Sequence, residues 1–146
     1  MNKIVLKSLA IGLAIICSFS CDNNQEPNKI EFSTKQLQTQ DSLFKEIMVI
    51  HDEVMPLTST LVKRKDILEK SNQKDSLTNN LILQLGTAEE AMWDWMYAIK
   101  PPKQFRDSLE HNQIIEYLNN EFTSVSKVKS QMLLAEENSN QIIDNE

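Results

Sequence analysis

Glycine, cysteine, proline and positive charge are all scarce in this sequence, and each shortage narrows what it can build. It has two glycines, Gly12 and Gly86, so tight hairpins and phosphate-cradling loops lack their usual material. Its four prolines are Pro27, Pro56 and the pair Pro101-Pro102, punctuation that suits a few long helices. The only cysteines, Cys17 and Cys21, leave nothing for an internal disulfide after residue 21, so the domain must rest on an apolar core. Lys and Arg number 15 against 21 Asp and Glu, for a formal charge of −6. That balance argues against nucleic acid, whose phosphates need Lys and Arg, and against a polybasic grip on anionic lipid.

What is present begins at the N-terminus. Lys3 and Lys7 precede an apolar run from Leu9 to Ile16, which closes in Ser18-Phe19-Ser20-Cys21. A basic start, a short apolar stretch and a small residue before the cut describe a secretory signal peptide. The run is broken by serines and falls short of the roughly 20 apolar residues of a membrane-spanning helix. A cysteine at the cut resembles the lipobox of bacterial lipoproteins, with Ser18 where leucine is usual. The resemblance implies acylation of Cys21 and anchoring to the cell envelope at the outer membrane, periplasmic or surface-facing. The expected layout is signal peptide 1–20, tether 21–32, helical bundle 33–137 and frayed tail 138–146.

Within the bundle, Ser33 or Thr34 can cap a first helix. Its stripe is Leu37, Phe44, Ile47, Val54, Leu61 and Leu68, widened by Leu43, Ile50 and Leu57. The stripe keeps its phase across Pro56, so the expectation is one kinked helix rather than two. Residues 71–74 read as a turn, with Asp75 or Ser76 capping a second helix whose stripe is Leu77, Leu81, Leu85, Ala88, Met92, Trp95, Met96 and Ile99. That helix ends before Lys100-Pro101-Pro102. Asp107 and Glu110 suggest a capping box opening a third, with Ile115, Leu118, Phe122, Val125, Met132 and Leu133 inward. The fold class is all-α, an antiparallel up-down-up three-helix bundle with its first helix kinked at Pro56.

Two segments invite a chemical reading, His51–Pro56 (HDEVMP) and Ala88–Met96 (AEEAMWDWM). Helical phase puts His51 mid-stripe, facing Met92, Trp95 and Met96, with Glu89 at the border of the same face. His51 can be a hydrogen-bonded core residue, with Glu89, Asp52 or a carbonyl freed by Pro56 as partner. Alternatively, His51 with Met55, Met92 and Met96 offers imidazole and thioethers to a soft metal such as copper, or a His–Met pair to haem. His111 is expected on the core side of the third helix near the height of His51, as a partly exposed packing residue. No nucleophile–base pair, paired-carboxylate cleft or Cys–His metal spacing is visible in the sequence. The expectation is therefore a non-enzymatic structural or interaction module that needs no cofactor. Its partners are the membrane, through acyl chains on Cys21, and an envelope protein.

The same two segments resemble those of short bacterial envelope lipoproteins often labelled "viral A-type inclusion protein". The resemblance spans about Leu43 to Lys129, with Trp93 where a smaller apolar residue is expected. It implies a helical envelope protein and assigns no activity and no functional residues.

Overall fold

The computed structural model describes residues 30–72 and 75–143. Cys21, the signal peptide and most of the tether lie outside the described residues. Four α-helices and no strand occur among the described residues: α1 (Thr34–Val54), α2 (Leu57–Lys70), α3 (Ser76–Ala98) and α4 (His111–Ile143). α1 and α2 form one rod bent at residues 55–56, so the architecture is a three-helix bundle. Pro56 has no N–H to donate to Asp52, and its ring crowds that carbonyl. The ladder is carried to the bend by the Met55 N–H, which donates to the His51 carbonyl at 2.8 Å. Thr58 then closes the gap, its hydroxyl and its backbone N–H both donating to the Met55 carbonyl.

The caps are local and follow from the sequence. Ser33 accepts from the Gln36 N–H while the Gln36 side chain accepts from the Ser33 N–H, a full capping box. Asp75 caps α3 by accepting from the Thr78 N–H at 2.8 Å. That bond holds the Asp75 carboxyl below the usual aspartate range. It also turns Thr78 inward and leaves Leu77, expected in the core, more than half exposed.

Burial follows heptads. Gln40, Ile47, Val54, Leu61 and Leu68 are buried at seven-residue steps through the bend. Thr78, Leu81, Leu85, Ala88, Met92 and Trp95 alternate by three and four on α3, and so do Ile114, Leu118, Glu121, Val125, Val128, Met132, Ala135 and Ser139 on α4. A 3.5-residue repeat on a 3.6-residue helix implies a gentle left-handed supercoil. The stripe expected on the third helix is corrected at several places. Ile114 rather than Ile115 is buried, while Phe122 and Leu133 stand outside. Glu121 occupies an inward position, and a polar residue there hides the period from an apolar count.

Three boundaries also shift. α4 begins at His111 rather than beside Asp107, with the Glu110 N–H donating to the Gln113 side chain at 2.9 Å. The tail expected to fray from 138 stays helical to Ile143. Ser139 is fully buried, and Asn138 donates to Gln84 at 3.0 Å. At the other end, Phe32 is no part of a free tether but packs against the core.

The rods differ in reach. α1 packs chiefly on α4 and α2 on α3, while α3 and α4 also meet. α3 has 23 residues and α4 has 33, so α3 is shorter by about 15 Å. The segment 99–110, with a short 3-10 turn at Pro102–Gln104, fills the third wall below the end of α3.

Candidate functional site

α1, α3 and α4 converge at the level of His51. Its ring lies 5.8 Å from that of Trp95, tilted by 33°. Trp95 in turn donates its Nε1–H to Glu121 Oε2 at 2.9 Å. His51 Nδ1 is 2.9 Å from Asp52 Oδ1, which assigns the Nδ1–H as donor to the carboxylate and leaves the lone pair on Nε2. Nε2 is buried without a hydrogen-bond partner, although Asp52 on the other side of the ring is mostly in water. A carboxylate that orients an imidazole while the far nitrogen points inward is the arrangement proteins use behind a metal-bound histidine.

The expected pairing of His51 with Trp95 is present. Met92 is fully buried, and Met55 and Met96 are partly buried against the same core. Among the described residues no group of three or more His, Cys, Asp and Glu side chains is placed to hold a metal ion. Glu89 is engaged elsewhere, accepting from Trp93 Nε1 at 3.1 Å. It lines a shallow α2–α3 groove of about 650 Å³ with Lys65, Glu69, Glu90 and Trp93. Gly86 forms part of that groove, and the Lys65 stem lies over the space a side chain at Gly86 would take. Glu53 reaches Lys129 of α4 at 2.6 Å across the surface.

His111 is not at the height of His51. Its Nδ1 lies 3.2 Å from Gln40 Nε2, so it sits level with Gln40, about 16 Å further down α1. The reason is the 99–110 segment, which descends past the end of α3 before α4 begins. A polar cluster there escaped the sequence reading. Arg106 donates from Nε to Gln40 Oε1 at 2.9 Å and from Nη2 to Asp41 Oδ1 at 2.6 Å. A guanidinium only donates, so the Gln40 oxygen must face it and the Gln40 amide N–H must donate to His111. Gln40, fully buried, thus ties α1 to both the connecting segment and α4. The one signal for it in the sequence is its place seven residues before Ile47 in the heptad.

Tyr117 secures the same segment. Its hydroxyl accepts from the Lys100 N–H at 2.7 Å, and its ring meets Phe105 edge-on at 4.8 Å. Burial raises the phenol above its ordinary range, with Glu121 adding to that and the Lys100 bond opposing it.

On the α3–α4 face, apolar side chains remain outside the core. Leu83 is 67% exposed and Leu134 56%, at the rims of a groove of about 290 Å³ floored by Ala88 and Ala135. No described helix is long and apolar enough to cross a membrane. Comparison with family models, with curated proteins and with solved structures returned no match.

Proposed function

We propose that this chain is a lipid-anchored cell-envelope module that works by binding rather than by catalysis. The observation that carries the reading is the apolar α3–α4 groove, with leucines held in water that the core had no need to exclude. The anchor rests on the N-terminal pattern ending at Cys21 and on its likeness to a lipobox, which would place the bundle at the outer membrane, periplasmic or surface-facing. Acyl chains supply the membrane affinity that an acidic surface cannot. The resemblance to short helical envelope lipoproteins agrees with this reading. Cys21→Ala is expected to abolish membrane retention and to yield unprocessed precursor or soluble protein. Mass spectrometry of the membrane-bound wild type finding an unmodified Cys21 thiol would overturn the anchor.

A second reading is favoured by one observation, the buried Nε2 of His51 with Asp52 fixing the opposite nitrogen. With Met55, Met92 and Met96 it would form a soft-metal site of the kind copper prefers, or contribute to a His–Met haem site. Near-stoichiometric copper in the purified tagless protein, lost in His51→Leu, would establish this reading in place of the first.

A further inference from the structure

One residue in four of this chain is charged, yet no charged side chain lines the α3–α4 groove beside the α2–α3 connection. Its groove is walled by Leu83, Thr87 and Ala88 on α3 and by Gln131, Leu134 and Ala135 on α4. A second concavity of about 350 Å³ continues it toward the helix ends, sharing Gln84 and adding Leu77 and Asn138. No Asp, Glu, Lys or Arg lines either stretch. We infer that this strip is the docking face for a second copy of the same chain, which names the partner of the binding module proposed above.

Three features favour a second copy as the occupant. The first is charge. Another copy is as acidic as this one, and like charges brought together cost several kcal/mol. Two such molecules can therefore approach closely only where carboxylates are missing, as they are here. The second is shape. A two-fold contact sets a patch against itself, so each feature must find its complement within the same patch. This strip has leucine rims and an alanine floor, and the Leu83 and Leu134 rims of one copy can lie over Ala88 and Ala135 of the other. The third is hydrogen bonding. Gln131 carries both donor and acceptor, so its amide can pair with its own counterpart where a carboxylate cannot, while Gln84 and Asn138 already bond to each other within the chain. The product is a four-helix contact made by α3 and α4 of each copy. From Leu77 to Ala88 the strip is about 17 Å long and two helices wide, smaller than the interface of a stable dimer and of the size of a weak, transient one. Confinement of both copies to one membrane raises their effective concentration and supports such a contact.

The test uses the full chain in cells, with thiol cross-linking by a short bis-maleimide. Thr87→Cys and Gln131→Cys report on the strip, Ser42→Cys on the far side of α1 is the control, and the wild type accounts for Cys17 and Cys21. A covalent species of twice the chain mass is expected from the strip positions and not from Ser42→Cys. Adding Leu83→Glu and Leu134→Glu should lower its yield by more than about tenfold. Both leucines are exposed, so circular dichroism should show the doubly substituted chain folded. If it is not, Gln131→Glu combined with Thr87→Cys applies the same repulsion in a side chain of equal size. Absence of the double-mass species, equal yield from Ser42→Cys, or adducts only with other proteins would each overturn the second-copy assignment. Fractionation of the same cells reads the anchor separately. A chain found in the soluble fraction refutes the Cys21 reading, while the cross-link decides the dimer in whichever fraction the chain runs.

Discussion

Beside the α2–α3 connection three helices meet, and Leu61, Leu68, Leu81 and Leu85 are buried there with two small polar residues, Thr78 and Ser139, whose hydroxyls bond to Asp75 and to the Glu136 carbonyl three residues away. At the opposite end α3 has already stopped, and Gln40 holds the heptad position that a leucine holds above. The two ends are closed by different forces. Apolar burial has no direction and contributes about 25 cal/mol per Å² wherever area leaves water. The lower end instead depends on Arg106, Gln40 and His111 meeting at 2.9 and 3.2 Å, and a buried amide there is costly unless both of its sides are paired. One heptad register thus continues through the bundle while the chemistry filling it changes. A helix too short to span the bundle is what forces the change.

The largest expected effect lies in the apolar half. Met92→Asp would place an unpaired carboxylate at a fully buried site, at a cost on the order of 3–5 kcal/mol. That is a large part of a small domain's total stability, so far-ultraviolet circular dichroism should show loss of cooperative folding. A wild-type melt from Met92→Asp would mean that α3 is wrongly phased and that the apolar half is not as described.

Gln40→Leu probes the other half. It keeps volume but strips partners from Arg106 Nε and His111 Nδ1, at about 1–3 kcal/mol. Hydrogen exchange should quicken in residues 99–110 and the start of α4 before it changes in α2 or in the first half of α3. Equal loosening at both ends would mean that the polar cluster does not hold the lower end separately.

Tyr117→Phe probes the same end. The lost hydroxyl should cost about 0.5–1.5 kcal/mol at neutral pH, since water can replace it at the exposed Lys100. The pH dependence has a definite sign. The folded phenol has a raised pKa, so above about pH 10 the unfolded chain releases a proton that the native state still holds. Stability from this group is complete below that pH and falls as pH rises, and Tyr117→Phe should flatten the alkaline limb of a denaturation series.

The smallest effect is expected at His51. Because Nε2 has no partner and Asp52 is well solvated, His51→Leu removes an unsatisfied polar atom and strands nothing. Its melting temperature should change by the equivalent of less than about 1 kcal/mol, in either direction. Calorimetry showing a loss of several kcal/mol would mean that His51 holds a group the core depends on.

Some of the candidate site was legible in advance. His51 meets Trp95 because heptad phase and the short α2–α3 connection set both face and level. The choice of Asp52 over Glu89 as its partner was not legible, since both lay within reach and Glu89 instead accepts from exposed Trp93 one turn further along α3. His111 was misplaced by about three turns, because the path of the 99–110 segment depends on where Pro102, Phe105 and Arg106 find contacts.

By itself the sequence determined the rods, their caps and the bend. The Ser33–Gln36 box, the Asp75 cap and the missing N–H of Pro56 act between residues at most four apart, so no distant partner is needed. Only the tertiary structure decided which polar residues go inside and which apolar ones stay out. Gln40 finds His111 71 positions away and Trp95 finds Glu121 26 positions away. The Gln40 amide is fully paired in the core only because Arg106 and His111 arrive beside it, and the chain acquires those partners by packing. Leu83 and Leu134 remain in water for the complementary reason: three rods close the core on one side of α3 and α4, and no fourth rod among the described residues reaches the other.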